Sequence, residues 1–166
     1  MTFLKFLMCT VFLLAQLSPA YAAQCFAAKE AEAEQGIRIH SELMVIGLNC
    51  QHKATANGKN LYMAYRDFTS THSNLFAAYE RVLLKHYKAS GVSNPEAKLN
   101  TLRTVFANKI STDAAQMRPD MFCARYAPRI EKASGLGYDD VRKWAATIFP
   151  SHPVSKPLCA SAQKGG

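Results

Sequence analysis

The chain has 166 residues, 49% of them hydrophobic and 19% charged, with 20 Lys and Arg against 12 Asp and Glu for a net charge of +8. This length holds one domain with a real core. There is no low-complexity tract and no internal repeat, which excludes linker-like chains and repeat arrays.

Residues 1–22 read as a secretory signal peptide. Lys5 supplies the positive n-region, Phe6 to Leu17 the apolar run, and Ala20-Tyr21-Ala22 the small-x-small pattern, so the expected cut follows Ala22. The apolar run is too short for a membrane span, which needs about 20 apolar residues. Gln24 before Cys25 does not suit a lipoprotein site. Export gives the cysteines their meaning. Cys9 leaves with the signal, and Cys25, Cys50, Cys123 and Cys159 form an even set for an oxidising compartment. Zinc would favour close pairs such as C-x-x-C, whereas the nearest two of these cysteines are 25 positions apart.

Period-2 alternation is scarce and helical periodicity is plentiful. A first helix is expected from Phe26 to Leu48, with Glu30, Glu32 and Glu34 in its early turns and Ala33, Ile37, His40, Met44 and Leu48 on one face, widened by Leu43 and Ile46. Asn57-Gly58 marks a turn. A second helix carries Leu61, Tyr65, Phe68, His72, Leu75, Tyr79, Val82 and His86 at alternating steps of 4 and 3, a bundle-like seam ended by Gly91. The third starts at Ser93-Asn94-Pro95-Glu96, where Ser93 with Glu96 and Asn94 compete as the cap. Its apolar face is Leu99, Leu102, Phe106, Ile110 and Met117. Pro119 and Pro128 each kink or restart the chain, and Asp120 to Ala133 reads as a separate helix. A short helix from Asp139 to Phe149 carries the only Trp, Trp144, with Asp139-Asp140 suited to capping. Pro150, Pro153 and Pro157 then impose an extended tail.

The expected fold is all-α: an up-down bundle of four to five helices over residues 23–150, with a Pro-rich tail over 151–166 pinned by Cys159. Helix length constrains the disulfides. Cys25 and Cys50 flank one helix, and a 1.5 Å rise per residue sets them roughly 37 Å apart. A disulfide needs Cα atoms within about 7 Å, so these two do not pair. The up-down course predicts Cys50–Cys123 at one end and Cys25–Cys159 at the other. The pattern Asn49-Cys50, Tyr79, Thr104 to Asn108, Ser111 and Phe122-Cys123 resembles a family of small exported helical bacterial proteins with four cysteines. The resemblance implies fold and location, and it carries no activity or catalytic residue across.

Two constellations bear on function. His40 and His72 sit on apolar stripes at similar heights of neighbouring helices, as a metal or haem pair inside a bundle would. The other reading is two core histidines satisfied by hydroxyls such as Tyr65, Thr69 or Ser111. Neither Glu-x-x-His nor C-x-x-C-H occurs, so no cofactor is expected. Nucleophile motifs are missing too, which points away from an enzyme. The second constellation is basic. Residues 95–166 carry 11 basic side chains to 6 acidic, against 8 to 6 over residues 23–94. Arg118, Arg125, Arg129, Lys132, Arg142 and Lys143 cluster there, and Arg125, Arg129 and Lys132 share a helical face. They read either as contact with an anionic envelope component or acidic protein, or as a solvated face. Nucleic acid is not an expected partner of an exported protein. The sequence thus predicts a periplasmic or secreted binding protein acting through its basic C-terminal half, with a ligand-carrying bundle centred on His40 and His72 as the alternative.

Overall fold

The computed structural model describes residues 25–160, so the expected signal peptide and Cys9 lie outside the described residues. Six helices follow in order: α1 Ala28–Asn49, α2 Leu61–Thr71, α3 Ser73–Ala89, α4 Pro95–Gln116, α5 Pro119–Ser134 and α6 Tyr138–Ala146. This is the expected all-α bundle, and it carries the expected bridges Cys25–Cys159 and Cys50–Cys123. Two disulfides fit an oxidising compartment. Among the described residues no helix is long and apolar enough to cross a membrane.

The bundle is organised around α1. The Glu30 carboxylate accepts the Ala27 N–H at 2.8 Å and satisfies one orphan donor at the helix start. Beyond its first turn the helix is buried on nearly every side, through Ala31, Ala33, Ile37, Ile39, Leu43, Val45 and Ile46. The single face expected from the sequence is therefore too narrow, and its last member, Leu48, is exposed. A helix apolar around most of its circumference belongs at the centre. Gly36 has a specific role there: a Cβ at this position would lie 2.2 Å from Cδ2 of Tyr79, so its absence lets α3 close onto α1.

The expected second helix is two. α2 and α3 meet at His72, whose φ of −103° and ψ of 17° interrupt the hydrogen-bond ladder. Thr69 turns its hydroxyl back to the Tyr65 carbonyl at 2.8 Å, a local alternative that weakens helices. The seam survives the break, with Leu61, Tyr65, Phe68, His72, Leu75, Tyr79 and His86 all buried. Gly91, at φ 75°, adopts the left-handed conformation that ends α3. Asn94, not Ser93, caps α4, accepting the Ala97 N–H at 2.9 Å. Pro128 stands inside α5, which continues through it to Ser134. Asp139 and Asp140 occupy the first turn of α6 without making a cap hydrogen bond, where the helix dipole still favours them. α6 stops at Ala146, short of Phe149.

The tail runs back beside α1 as a strap. Gln35 donates to the His152 carbonyl at 2.6 Å, Arg38 to the Pro153 carbonyl at 2.7 Å, and the Ser155 N–H donates to Glu34 at 2.6 Å. At its end, Phe26 N–H donates to the Pro157 carbonyl and Cys159 N–H to the Phe26 carbonyl.

Gly36→Ala should overpack the α1–α3 contact and destabilise the protein by about 1–3 kcal/mol. Urea unfolding of the disulfide-intact protein measures this, and an unchanged midpoint would show that Tyr79 can move aside.

Candidate functional site

Burial of α1 carries five polar side chains, Glu34, Gln35, Arg38, Ser41 and Glu42, into the interior. Ser41 is satisfied within the helix by the Ile37 carbonyl at 2.8 Å. The others face the tail and α5. Arg38 stacks its guanidinium 4.1 Å from the centre of the Phe106 ring, and desolvation lowers its pKa while Glu42 and Glu34 oppose the shift. It keeps its charge, as arginines in proteins do. Glu42, one helical turn on, accepts from Arg129 at 2.6 Å through Oε2.

Two buried atoms in this group have no hydrogen-bond partner: Arg38 Nε and Glu42 Oε1. His152 Nε2 lies 3.8 Å from Glu42 Oε1, too far for a hydrogen bond. Nor is the pair ionic at neutral pH. Burial holds the His152 pKa below its ordinary value, and the cations Lys109, Arg129 and Arg38 add to this, against an opposing pull from Glu42. The neutral ring is held on its other side, with Nδ1 and Ser151 Oγ 2.7 Å apart. Lys109 donates to the Ser151 carbonyl at 3.0 Å and fixes the turn.

These groups wall a cleft of about 390 Å³ between α1, α5, α6 and the tail, with Arg38, Glu42, Arg129, Lys132, Trp144 and His152 around it. Larger hollows lie beside His72 and Asp67, about 460 Å³, and beside Lys29 and Arg81, about 730 Å³. Neither is lined by a residue that carries a buried polar side-chain atom lacking a partner, whereas Arg38 and Glu42, which carry the two such atoms found among the described residues, both line the cleft. An unmet buried polar atom costs about 1–3 kcal/mol.

The six cations singled out in the sequence are not one patch. Arg129 and Lys132 reach the cleft. Arg118 pairs with Asp120 at 3.2 Å, Arg142 with Glu32 at 3.0 Å and Lys143 with Asp140 at 3.7 Å. Arg125 lies 5.5 Å from the Tyr126 ring centre. The two histidines also part company. His40 Nε2 is 3.5 Å from the Tyr65 hydroxyl, with its ring edge-on to Phe76. His72 Nε2 is 3.2 Å from the Leu136 carbonyl. Among the described residues no group of three or more His, Cys, Asp or Glu is placed to hold a metal.

Sequence reading missed Gln35, Arg38, Glu42 and His152. The spacing Glu34, Arg38, Glu42 resembles an ordinary surface run of i,i+4 pairs. The available clue was that Ile37, Ile39, Leu43, Val45 and Ile46 leave this helix no solvated side. Comparison with known proteins finds no matching family model, curated protein or solved structure.

Two measurements test this geometry. Arg129→Met strands the Glu42 carboxylate and should destabilise by about 2 kcal/mol. The cost falls below that of a fully buried pair because 28% of the Arg129 side chain is exposed. An unchanged denaturation midpoint would mean that Arg38 alone suffices for Glu42. The second concerns His40, whose pKa burial pushes below the ordinary 6.5, with Arg103 adding and Glu80 opposing. The unfolded chain takes up this proton first as pH falls. The stability His40 contributes is therefore complete above pH 6.5 and is lost as pH drops from there toward the lowered folded value. Unfolding midpoints between about pH 7.5 and about pH 5.5 should fall less steeply for His40→Gln than for the unaltered protein. Parallel slopes would remove His40 as the cause.

Proposed function

We propose that this is an exported, periplasmic binding protein, not an enzyme, that holds a small anionic ligand in the cleft between α1 and the tail. The observation that carries the reading is the set of cations on one cleft wall, Arg38, Arg129 and Lys132, beside the carboxylate of Glu42. With His152 neutral, three cations there face one carboxylate. The surplus favours an anion, and Arg supplies the planar, charge-assisted donors that carboxylates and phosphates take. The basic C-terminal half acts through two residues in this reading, while Arg118, Arg142 and Lys143 pair with nearby carboxylates. His40 and His72 stay outside it, their ring nitrogens facing the Tyr65 hydroxyl and the Leu136 carbonyl. Export is supported by the signal-peptide pattern of residues 1–22 and by the two disulfides.

Titration of the isotope-labelled, disulfide-intact protein with inorganic phosphate tests the reading. Amide shifts should saturate and centre on Arg38, Glu42, Arg129, Lys132 and His152. Lys132→Glu should weaken binding several-fold, and Arg118→Glu should leave it unchanged. Shifts spread over all surface cations, and abolished by moderate salt, would reduce the effect to general charge attraction and end the reading.

A further inference from the structure

A second group of cations lies on α3, in the half of the chain with the smaller basic excess. Arg81, Lys85 and Lys88 follow at steps of 4 and 3, which sets them in one row along the helix. All three are exposed. So is Lys29 at the start of α1, which lines the hollow of about 730 Å³ together with Arg81 and Lys85. Among the described residues none of the four is in an ion pair. The one acid of α3, Glu80, turns aside to Arg103 on α4. Glu30, which also lines the hollow, is engaged by His86 and by the Ala27 N–H. A second hollow, about 620 Å³, holds Lys85 and Lys88 with a single acid, Glu96.

The row has apolar shoulders. Ala78, Val82 and Ala89 line the first hollow, and Leu84 and Val92 the second. A merely solvated face has its acids interspersed, as Asp120 and Glu131 are among the cations of α5. Cations beside apolar side chains fit a partner that offers both phosphates and hydrocarbon. Long Lys and Arg stems lie along apolar surface while their heads reach anions, as they do at membrane interfaces. An acidic polypeptide would use the cations and leave the shoulders idle. We infer that this face of α3, with Lys29, docks on an anionic phospholipid surface. The cations meet headgroup phosphates, and Val82 and Leu84 rest at the boundary with the acyl chains. The contact is peripheral and needs no spanning helix. It is also separate from the cleft, so neither reading depends on the other.

Co-sedimentation of the full, disulfide-intact exported chain with vesicles tests the inference. The vesicles are phosphatidylcholine alone, or phosphatidylcholine with phosphatidylglycerol as about a third of the lipid. The protein should bind the second and not the first. Reversing Arg81, Lys85 and Lys88 together to Glu should weaken binding at least about a hundredfold, about fivefold for each cation removed. Reversing Arg118, Arg125 and Lys143 changes net charge equally and should cost less than about tenfold. Val82→Ser, checked for an intact fold by its thermal midpoint, should weaken binding several-fold. Soluble polyglutamate should bind more weakly, charge for charge, than the anionic vesicles. No binding to those vesicles would overturn the inference. An equal loss from the two triple reversals would reduce it to general charge attraction. Polyglutamate bound as tightly as the vesicles, or Val82→Ser without effect, would give the face to an acidic protein instead.

Discussion

Placing a helix at the centre of a bundle takes most of its residues out of water, including polar ones. α1 meets this constraint by recruiting the tail. Glu34 accepts from the backbone and hydroxyl of Ser155, Gln35 donates to the His152 carbonyl, and Arg38 donates to the Pro153 carbonyl. The arrangement is reciprocal. A tail rich in proline has few N–H groups and no helix to occupy its carbonyls, so it needs donors from elsewhere. The Cys25–Cys159 bridge spans 134 positions and fixes the strap's far end next to the start of α1. Closing so long a loop restricts the unfolded chain strongly, with an effect on the order of 4–5 kcal/mol in the chain-entropy account.

How much of this was legible in the sequence depends on the distance over which the signal acts. The disulfide pairing was readable because helix rise alone separates Cys25 from Cys50 and the up-down course then brings Cys50 to Cys123. The α2–α3 seam was readable because a 4-3 repeat is local. The break at His72 was not, since the apolar positions run through it without a change of phase and only weak helix formers, from Thr69 to Ser73, mark it. The width of α1's buried surface was underestimated because a central helix can carry charged residues when something distant covers them. The cleft was the least legible element. Its defining contacts join residues 87 to 117 positions apart, such as Arg129 with Glu42 and Gln35 with His152. No local pattern reports such a pairing.

Net charge proved a poor guide to the location of a site. The excess of cations in the C-terminal half is real, yet most of those singled out meet a carboxylate or a ring nearby. Exposed ion pairs of this kind contribute little to stability, about 0–1 kcal/mol, and they also leave little field for a partner. What distinguishes Arg129 and Lys132 is the surface they share with Arg38, a cation whose burial by Phe106 and the tail prevents water from screening it. Position relative to α1, rather than membership of the basic half, sets a cation apart.

The polar cluster on α1 is not what burial alone would select. A buried ion pair stabilises a fold weakly at best, because desolvation offsets attraction, and well-packed apolar residues of similar volume often do as well or better. α1 already has apolar neighbours on its other sides, so Leu or Met at positions 38 and 42 would suit a helix built only to be buried. The chain instead keeps a guanidinium and a carboxylate there, meets three of their contacts with Arg129, Pro153 and Phe106, and leaves one buried donor and one buried acceptor without a hydrogen-bond partner. The great majority of buried polar groups in proteins are satisfied, so this pair stands out energetically from the rest of α1.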